Sequence, residues 1–391
     1  MQAFKIIPTN DVDEVSRAFE LMPVLLEIRD RFAETKPLDG ARVAVVFHLT
    51  KEAACLALTV QAAGAEVRFV PSKLATVETE VVRKLTSHDI HVARAETEKQ
   101  RSERLSEILT FAPQMVVDNA DLFSLWHEEV DPPPLLCASV HSRSACALVE
   151  DYWDRHHKVL FPVIAVGSSE IKLELESTHG TGQSVVTALI QATGLQLAGK
   201  NVVVVGYGNV GRGVAHFIRG LNARVCVVQR SAFRALKAAM DGYEVLRLSE
   251  AIPRADVVIT ATGARGVITE EHFPLFRDGV FVGNVGRVQE IDVPALCRLG
   301  KPIRRINDNL TEYRVNGNRI VLMGDGHQFN HMARCANSSE VMDLSLSLHA
   351  LSLEYVWSER PGLSNSVHPV PSVVSETVAQ SKLKHLGINL T

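Results

Sequence analysis

Apolar residues in this chain come in short unbroken runs separated by amphipathic stretches. Arg42-Val43-Ala44-Val45-Val46-Phe47 is one such run, and it stops at His48-Leu49-Thr50. Glu66-Val67-Arg68-Phe69-Val70, Gln114-Met115-Val116-Val117, Leu135-Leu136-Cys137-Ala138-Ser139-Val140 and Pro162-Val163-Ile164-Ala165-Val166 have the same form. Between the first two, Glu52 to Ala63 has a helical pattern closed by Gly64. Short apolar runs alternating with helical patterns predict parallel strands joined by crossover helices. Polar residues just past the strand ends of such sheets face the ligand crevice. His48, Asp118 and His141 take those positions.

After residue 180 the pattern restarts, with strands expected at 201–205, 224–228, 255–260, 279–284 and 319–323. A helix expected over 182–196 would bridge two domains. The first of these strands, Asn201-Val202-Val203-Val204-Val205, runs into Gly206-Tyr207-Gly208-Asn209-Val210-Gly211. A strand, a G-x-G-x-x-G turn and a helix begin a dinucleotide-binding unit. Gly206 permits the tight turn, Gly208 lets the backbone approach a pyrophosphate, and Gly211 lets helix and strand pack closely. The helix N-terminus, with Asn209 and Val210, then offers N–H groups to the phosphates. The competing reading is a tight glycine turn with no ligand. The expected fold class is α/β, with two doubly wound parallel-sheet domains, one of them a Rossmann dinucleotide-binding domain.

Composition narrows the classes. A chain of 391 residues is long for one core, which predicts two domains. With 46% hydrophobic and 22% charged residues it reads as soluble and globular. A net charge of -4 gives no polyanion-binding signature, so nucleic acid is not an expected partner. No apolar run approaches the roughly 18 residues of a membrane span, and acidic residues interrupt the N-terminal stretch early, unlike a signal peptide. Cys55, Cys137, Cys146, Cys226, Cys297 and Cys335 are scattered without C-x-x-C spacing. Reduced thiols in a cytoplasmic protein are expected, with no metal site and no disulfide framework.

Several motifs in sequence order resemble the S-adenosyl-L-homocysteine hydrolase family. They are Ser177-Thr178-His179-Gly180, the glycine turn, Ala238 to Val245, and Val258-Ile259-Thr260-Ala261-Thr262-Gly263. Gly283-Asn284-Val285-Gly286, Glu290-Ile291-Asp292 and Asn330 complete the set. The resemblance runs from about His48 to the C-terminus and is strongest over 199–330. It implies a substrate domain at 1–180 completed by about 335–370, a Rossmann domain at 181–334, and a tail at 371–391 shorter than the family's. It also implies a homodimer or homotetramer. Family members use bound cofactor as an internal redox catalyst. They oxidise the ribose 3′-hydroxyl, so that the adjacent C4′ proton becomes acidic and the 5′ thiol can be eliminated. Water then adds and the stored hydride returns.

Carried over position by position, Lys172 matches the lysine that handles the 3′-hydroxyl proton. Glu176 stands where the family has an aspartate that positions this lysine; a plain i, i+4 ion pair is the alternative. Asp118 matches a base at the ribose, or is a helix N-cap. His48 matches a histidine near the 5′ position, and Thr50 and Glu52 match residues that hold the adenine, unless they cap the following helix. Thr262 and Asn330 match residues near the nicotinamide.

Other positions depart from the family. His141 replaces a glutamate, Arg287 and Asn337 each replace a histidine, and Gly167 replaces an asparagine. Ser142-Arg143-Ser144 stands at the paired threonines. Glu→His and His→Arg make the pocket more cationic, which favours an anionic substrate group.

About 20 residues past the glycines, NAD enzymes place an acidic side chain on the adenosine ribose. The family has glutamate there; this chain has Gln229, followed by Arg230, Ser231 and Arg234. Loss of the carboxylate removes the repulsion of a 2′-phosphate, and the guanidinium groups can grip it. The cofactor is NADP or NAD, with NADP favoured. The alternative is that the arginines are surface residues and Gln229 binds a plain ribose. The short tail is expected to leave the cofactor less enclosed and more exchangeable. The expectation is an oxidoreductase acting on a nucleoside-like alcohol in a specialised biosynthetic pathway. An ordinary S-adenosyl-L-homocysteine hydrolase and a catalytically silent cofactor-binding regulator are the alternatives.

Overall fold

Runs of valine seed two separate sheets. A computed structural model describes residues 13–72, 79–119, 121–128, 132–332, 337–359 and 362–390. Cys335 lies outside the described residues. One body comprises Met1–Leu173 together with Ser339–Thr391, and the other Glu174–Ser338. The break falls after Leu173 rather than at 180, inside a π-helical stretch, Ile171–Thr181. The last helix, Ser372–His385, belongs to the first body.

The strands in chain order are β1 (Arg42–Phe47), β2 (Glu66–Pro71), β3 (His91–Val92), β4 (Met115–Asp118), β5 (Cys137–Val140) and β6 (Val163–Ile164). The second body adds β7 (Asn201–Val205), β8 (Arg224–Val228), β9 (Glu244–Leu246), β10 (Val257–Thr260), β11 (Val280–Asn284), β12 (Pro302–Asn307), β13 (Leu310–Val315) and β14 (Asn318–Gln328). β15 (Val367–His368) returns to the first.

The first sheet is ordered β15-β6-β5-β4-β1-β2-β3, with every pairing parallel. The second is ordered β12-β13-β14-β11-β10-β7-β8-β9 and is parallel except for β12 and β13. In each, the chain winds outward from one strand and then crosses to its other side. The switch points lie between β1 and β4 and between β7 and β10. Val46 is level with Asp118, and Val205 with Thr260. Ligand crevices form beyond the carboxyl ends of strands at such points.

The central strands of each sheet are buried on both faces. Val43, Val45 and Phe47 enter one apolar cluster and Ala44 and Val46 another. Likewise Val202 and Val204 face one side of β7, and Val203 and Val205 the other. This is why the strands read as continuous apolar runs rather than alternating ones. Each buried valine contributes about 1.5–3 kcal/mol. The helix Gly182–Thr193, expected to bridge the domains, lies wholly in the second body against the helix Asn209–Gly220.

In the first body, the helix Ser339–Glu359 is buried on most sides. Its Asp343 accepts hydrogen bonds from the Val24 and Leu25 amides at 3.3 and 2.9 Å, and from Lys382 Nζ at 3.0 Å. It thereby caps the helix Pro23–Thr35, whose preceding residue Met22 offers no side-chain cap.

Candidate functional site

The second body meets the geometric demands of a dinucleotide turn. Gly206 has φ +104°, and a Cβ there would lie 2.6 Å from the Ala261 carbonyl oxygen. A Cβ on Gly211 would overlap the Gly206 carbonyl oxygen. Over Gly208 the space is open, with only the Arg234 guanidinium 3.9 Å away. Gly208 begins the helix Asn209–Gly220, and no side chain caps that end. Two glycines are thus required by packing, and the third leaves room for a phosphate beside uncapped N–H groups and a cation.

At the end of β8, Gln229 Oε1 accepts from the Arg230 and Ser231 amides at 2.7 and 3.1 Å. Its acceptor is occupied by its own loop, and the side chain is an amide rather than a carboxylate. Ser231 Oγ accepts from the Arg234 amide at 3.5 Å, capping the helix Ala232–Met240. Arg230, Ser231 and Arg234 are exposed.

The loop after β10 is held by Glu290, a fully buried carboxylate. It accepts from Thr262 N at 3.0 Å, Thr262 Oγ1 at 2.6 Å and Gly263 N at 2.7 Å. Thr260 and Asn284 are buried behind this loop. Asn284 donates to the Val288 and Gly326 carbonyls at 2.8 and 3.0 Å and accepts from Gly286 N and Thr260 Oγ1. They shape the loop through bonds to protein. Asn330 is also buried, and its Nδ2 donates to Ser184 Oγ at 3.3 Å. Its Oδ1 has no partner among the described residues. A buried amide oxygen left open in this body fits a ligand that donates a hydrogen bond, as a carboxamide does.

In the first body, His48 Nδ1 lies 3.4 Å from Ser72 Oγ. Thr50 caps the helix Lys51–Ala62, and the buried Glu52 accepts from Ser339 Oγ at 2.6 Å. Asp118 sits under the N-terminus of the helix Asp121–Glu128. Its carboxylate accepts from the amides of Asp121, Leu122 and Phe123 at 3.0, 3.2 and 2.9 Å. These are the contacts of the capping alternative. Burial, aided by Asp121, outweighs those N–H bonds and pushes its pKa up to about 7.

Beyond β5 lies a buried line of side chains. Lys172 Nζ is 2.8 Å from His141 Nε2. His141 Nδ1 is 3.1 Å from His349 Nε2, and His349 Nδ1 is 2.7 Å from Ser139 Oγ. The Phe47 ring meets His141 edge-on at 4.5 Å between centroids. Burial, reinforced by Lys172, holds the His141 pKa well below its usual value and lowers that of His349 to about 3. Both imidazoles are therefore neutral. The expectation that Glu→His adds positive charge here is corrected, because the low-dielectric surroundings exclude the imidazolium.

In the second body, Glu176 Oε1 accepts from Asn337 Nδ2 at 3.1 Å, and Asn337 Oδ1 from Thr181 Oγ1 at 3.2 Å. Arg287 is exposed. Gly167 is required by packing, because a Cβ there would meet the His141 carbonyl oxygen at 2.5 Å. Sequence reasoning did not single out His349, Ser139, Glu290 or Ser184 as site residues. The available signal for His349 was a histidine inside an apolar helix.

A family model described as S-adenosyl-L-homocysteine hydrolase, NAD binding domain, matches residues 177–337. The adenosylhomocysteinase of Sulfurisphaera tokodaii is 40% identical over 374 residues, covering 94% of this chain and 90% of that one. The chain belongs to the S-adenosyl-L-homocysteine hydrolase family. The family's adenosylhomocysteinase from Pyrococcus abyssi is 37% identical, covering 97% of this chain and 90% of its own. A protein of Methanopyrus kandleri named S-inosyl-L-homocysteine hydrolase is 36% identical, covering 97% and 91%. The second body is the nicotinamide-dinucleotide-binding domain of this hydrolase family. Among the described residues no group of side chains is arranged to hold a metal, and no helix is long and apolar enough to cross a membrane.

Proposed function

We propose that this enzyme oxidises a secondary, ribose 3′-type hydroxyl of a nucleoside or nucleoside-like substrate in a specialised biosynthetic pathway. Lys172 carries this reading. Its buried amine lies 2.8 Å from His141 Nε2, and this bond orients it. Acting as base, this amine keeps an N–H on His141 Nε2 and turns its lone pair to the substrate, taking the hydroxyl proton. A bound nicotinamide dinucleotide would supply the hydride acceptor for the carbon that bears this hydroxyl. Glu176 orients the lysine end of the segment.

The ketone so formed acidifies the adjacent C–H. Asp118, pushed up to about 7 with its cap in place, is a first-body carboxyl that exchanges a proton near neutrality. His48, Thr50, Glu52, Asn337 and Arg287 contact substrate. Arg287 alone now supports an anionic substrate group. Gly206, Gly208, Asn209, Val210, Gly211, Thr262, Gly263 and Asn330 hold the cofactor, with Thr260 and Asn284 behind them. Gln229, Arg230, Ser231 and Arg234 receive a 2′-phosphate, which makes NADP the preferred cofactor. Gln229→Glu should then shift preference towards NAD by about tenfold or more, since it restores a charge that repels the phosphate. Affinities for both cofactors measured on wild type and variant check this.

A second reading, a closed cycle that releases homocysteine, is favoured by similarity to adenosylhomocysteinases across nearly the whole chain. Incubation with S-adenosylhomocysteine, S-inosylhomocysteine or adenosine, each with NAD and with NADP, separates the two by mass spectrometry. A keto product with stoichiometric reduced cofactor supports net oxidation. Homocysteine without net reduction supports the closed cycle. Lys172→Ala should abolish hydride transfer, a loss of about 100-fold or more, while cofactor affinity stays unchanged. An unchanged rate of cofactor reduction would remove Lys172 from the role. We infer a homodimer or homotetramer, which light scattering on the purified chain reads directly.

A further inference from the structure

We propose that His349 is a positioning residue for Lys172, acting through His141 and anchored by Ser139, on the reading that Lys172 is the base of the oxidation. Lys172, once protonated, has donors and no acceptor. It must donate to His141 Nε2, which is 2.8 Å away. That nitrogen must be bare, so His141 carries its proton on Nδ1 and donates it to His349 Nε2 at 3.1 Å. His349 in turn carries its proton on Nδ1 and donates to Ser139 Oγ at 2.7 Å. The links depend on one another, because a neutral imidazole has one donor and one acceptor nitrogen: His141 keeps Nε2 bare for Lys172 only while its Nδ1–H has His349 Nε2 to receive it.

His349 and Ser139 are fully buried and His141 nearly so. In these buried surroundings His349 Nε2 is the acceptor within reach of the His141 Nδ1 proton, so the tautomer of His141 depends on that neighbour. Strand β5 and the helix Ser339–Glu359 together set the direction in which the lysine can donate. The line ends at a serine hydroxyl in a strand, so it fixes orientation and does not carry protons onward.

The test uses the full-length protein with ¹⁵N-labelled histidine. In wild type, His141 should show the Nδ1–H tautomer. In His349→Phe the acceptor is gone, and His141 should become a mixture or turn to Nε2–H. In His349→Gln the amide oxygen accepts the same proton, and the wild-type tautomer should return. Ser139→Ala is a second, smaller change that frees the proton on His349 and should shift His141 in the same direction. It decides the matter where His349→Phe does not fold.

With adenosine and NADP, His349→Phe should lower kcat about tenfold or more at unchanged KM, and His349→Gln should restore most of it. An unchanged His141 tautomer in folded His349→Phe or Ser139→Ala protein overturns the proposal. If the tautomer responds while wild type oxidises no nucleoside offered, the positioning line stands and the reading of Lys172 as base falls.

Discussion

Asp118 shows how one side chain is pulled in opposite directions by its surroundings. Three amides and a helix N-terminus favour its carboxylate, while complete burial and Asp121 disfavour it. The outcome is a pKa raised from 3.8 to about 7. A carboxyl whose folded pKa lies above its unfolded value stabilises the fold fully below the unfolded value. That stability is lost as pH rises through the folded one. Asp118→Asn cannot ionise. Its stability relative to wild type should therefore improve as pH climbs from about 4 to about 8, read by urea unfolding at both ends. A difference that stays constant with pH would show that Asp118 is charged throughout. The buried imidazole of His349 acts in the other sense, with its pKa lowered from 6.5 to about 3. The stability it contributes is full above its unfolded value and drains away as pH falls through that window.

At the scale of elements, Asp343 joins three helices. It caps Pro23–Thr35, sits in Ser339–Glu359, and pairs with Lys382 of Ser372–His385. Asp343→Ala leaves two amides uncapped and one lysine unpaired, at a cost of about 2–4 kcal/mol in urea unfolding. Lys382→Met should cost less than half as much, because both amide bonds remain. If the lysine variant costs more, the ion pair and not the cap holds this end together. The same scale explains what was legible in the sequence. β1, β7 and β8 are found where the valine runs predicted them, because burial on both faces leaves a continuous apolar signature. β12 and β13 were not anticipated. β12 is exposed along its whole length and rich in arginine, so nothing in its composition marks a strand. It forms because β13 offers it an edge.

For the whole molecule, the glycine turn, the strand-end polar residues and the family motifs were readable because each is local. The line from Lys172 to Ser139 was not. His141 and His349 are 208 positions apart, and Ser139 and His349 are 210 apart. They meet only because the chain leaves the first body at Leu173 and re-enters it at Ser339. Glu290 was visible as part of a motif, yet its task, bonding the loop at Thr262 and Gly263, emerges only in three dimensions. The neutral state of His141 was likewise out of reach, since charge at a histidine depends on burial.

The run that opens the dinucleotide site carries one more glycine, and it serves a different neighbour. A Cβ on Gly213 would overlap the carbonyl oxygen of Thr178, and one on Gly182 would come within 2.7 Å of Gly213. Arg212, one residue earlier, donates to Thr178 Oγ1 at 3.2 Å and also bonds Glu174. The glycines of the dinucleotide turn and the one that docks the π-helical segment therefore share one short stretch, Gly206 to Gly213. A Rossmann unit transplanted from another enzyme could keep every phosphate contact and still displace Glu176 and its neighbours, simply by bringing an alanine to this place. The cofactor module is not an interchangeable cassette, and a chimaera built here must inherit its fourth glycine along with its first three.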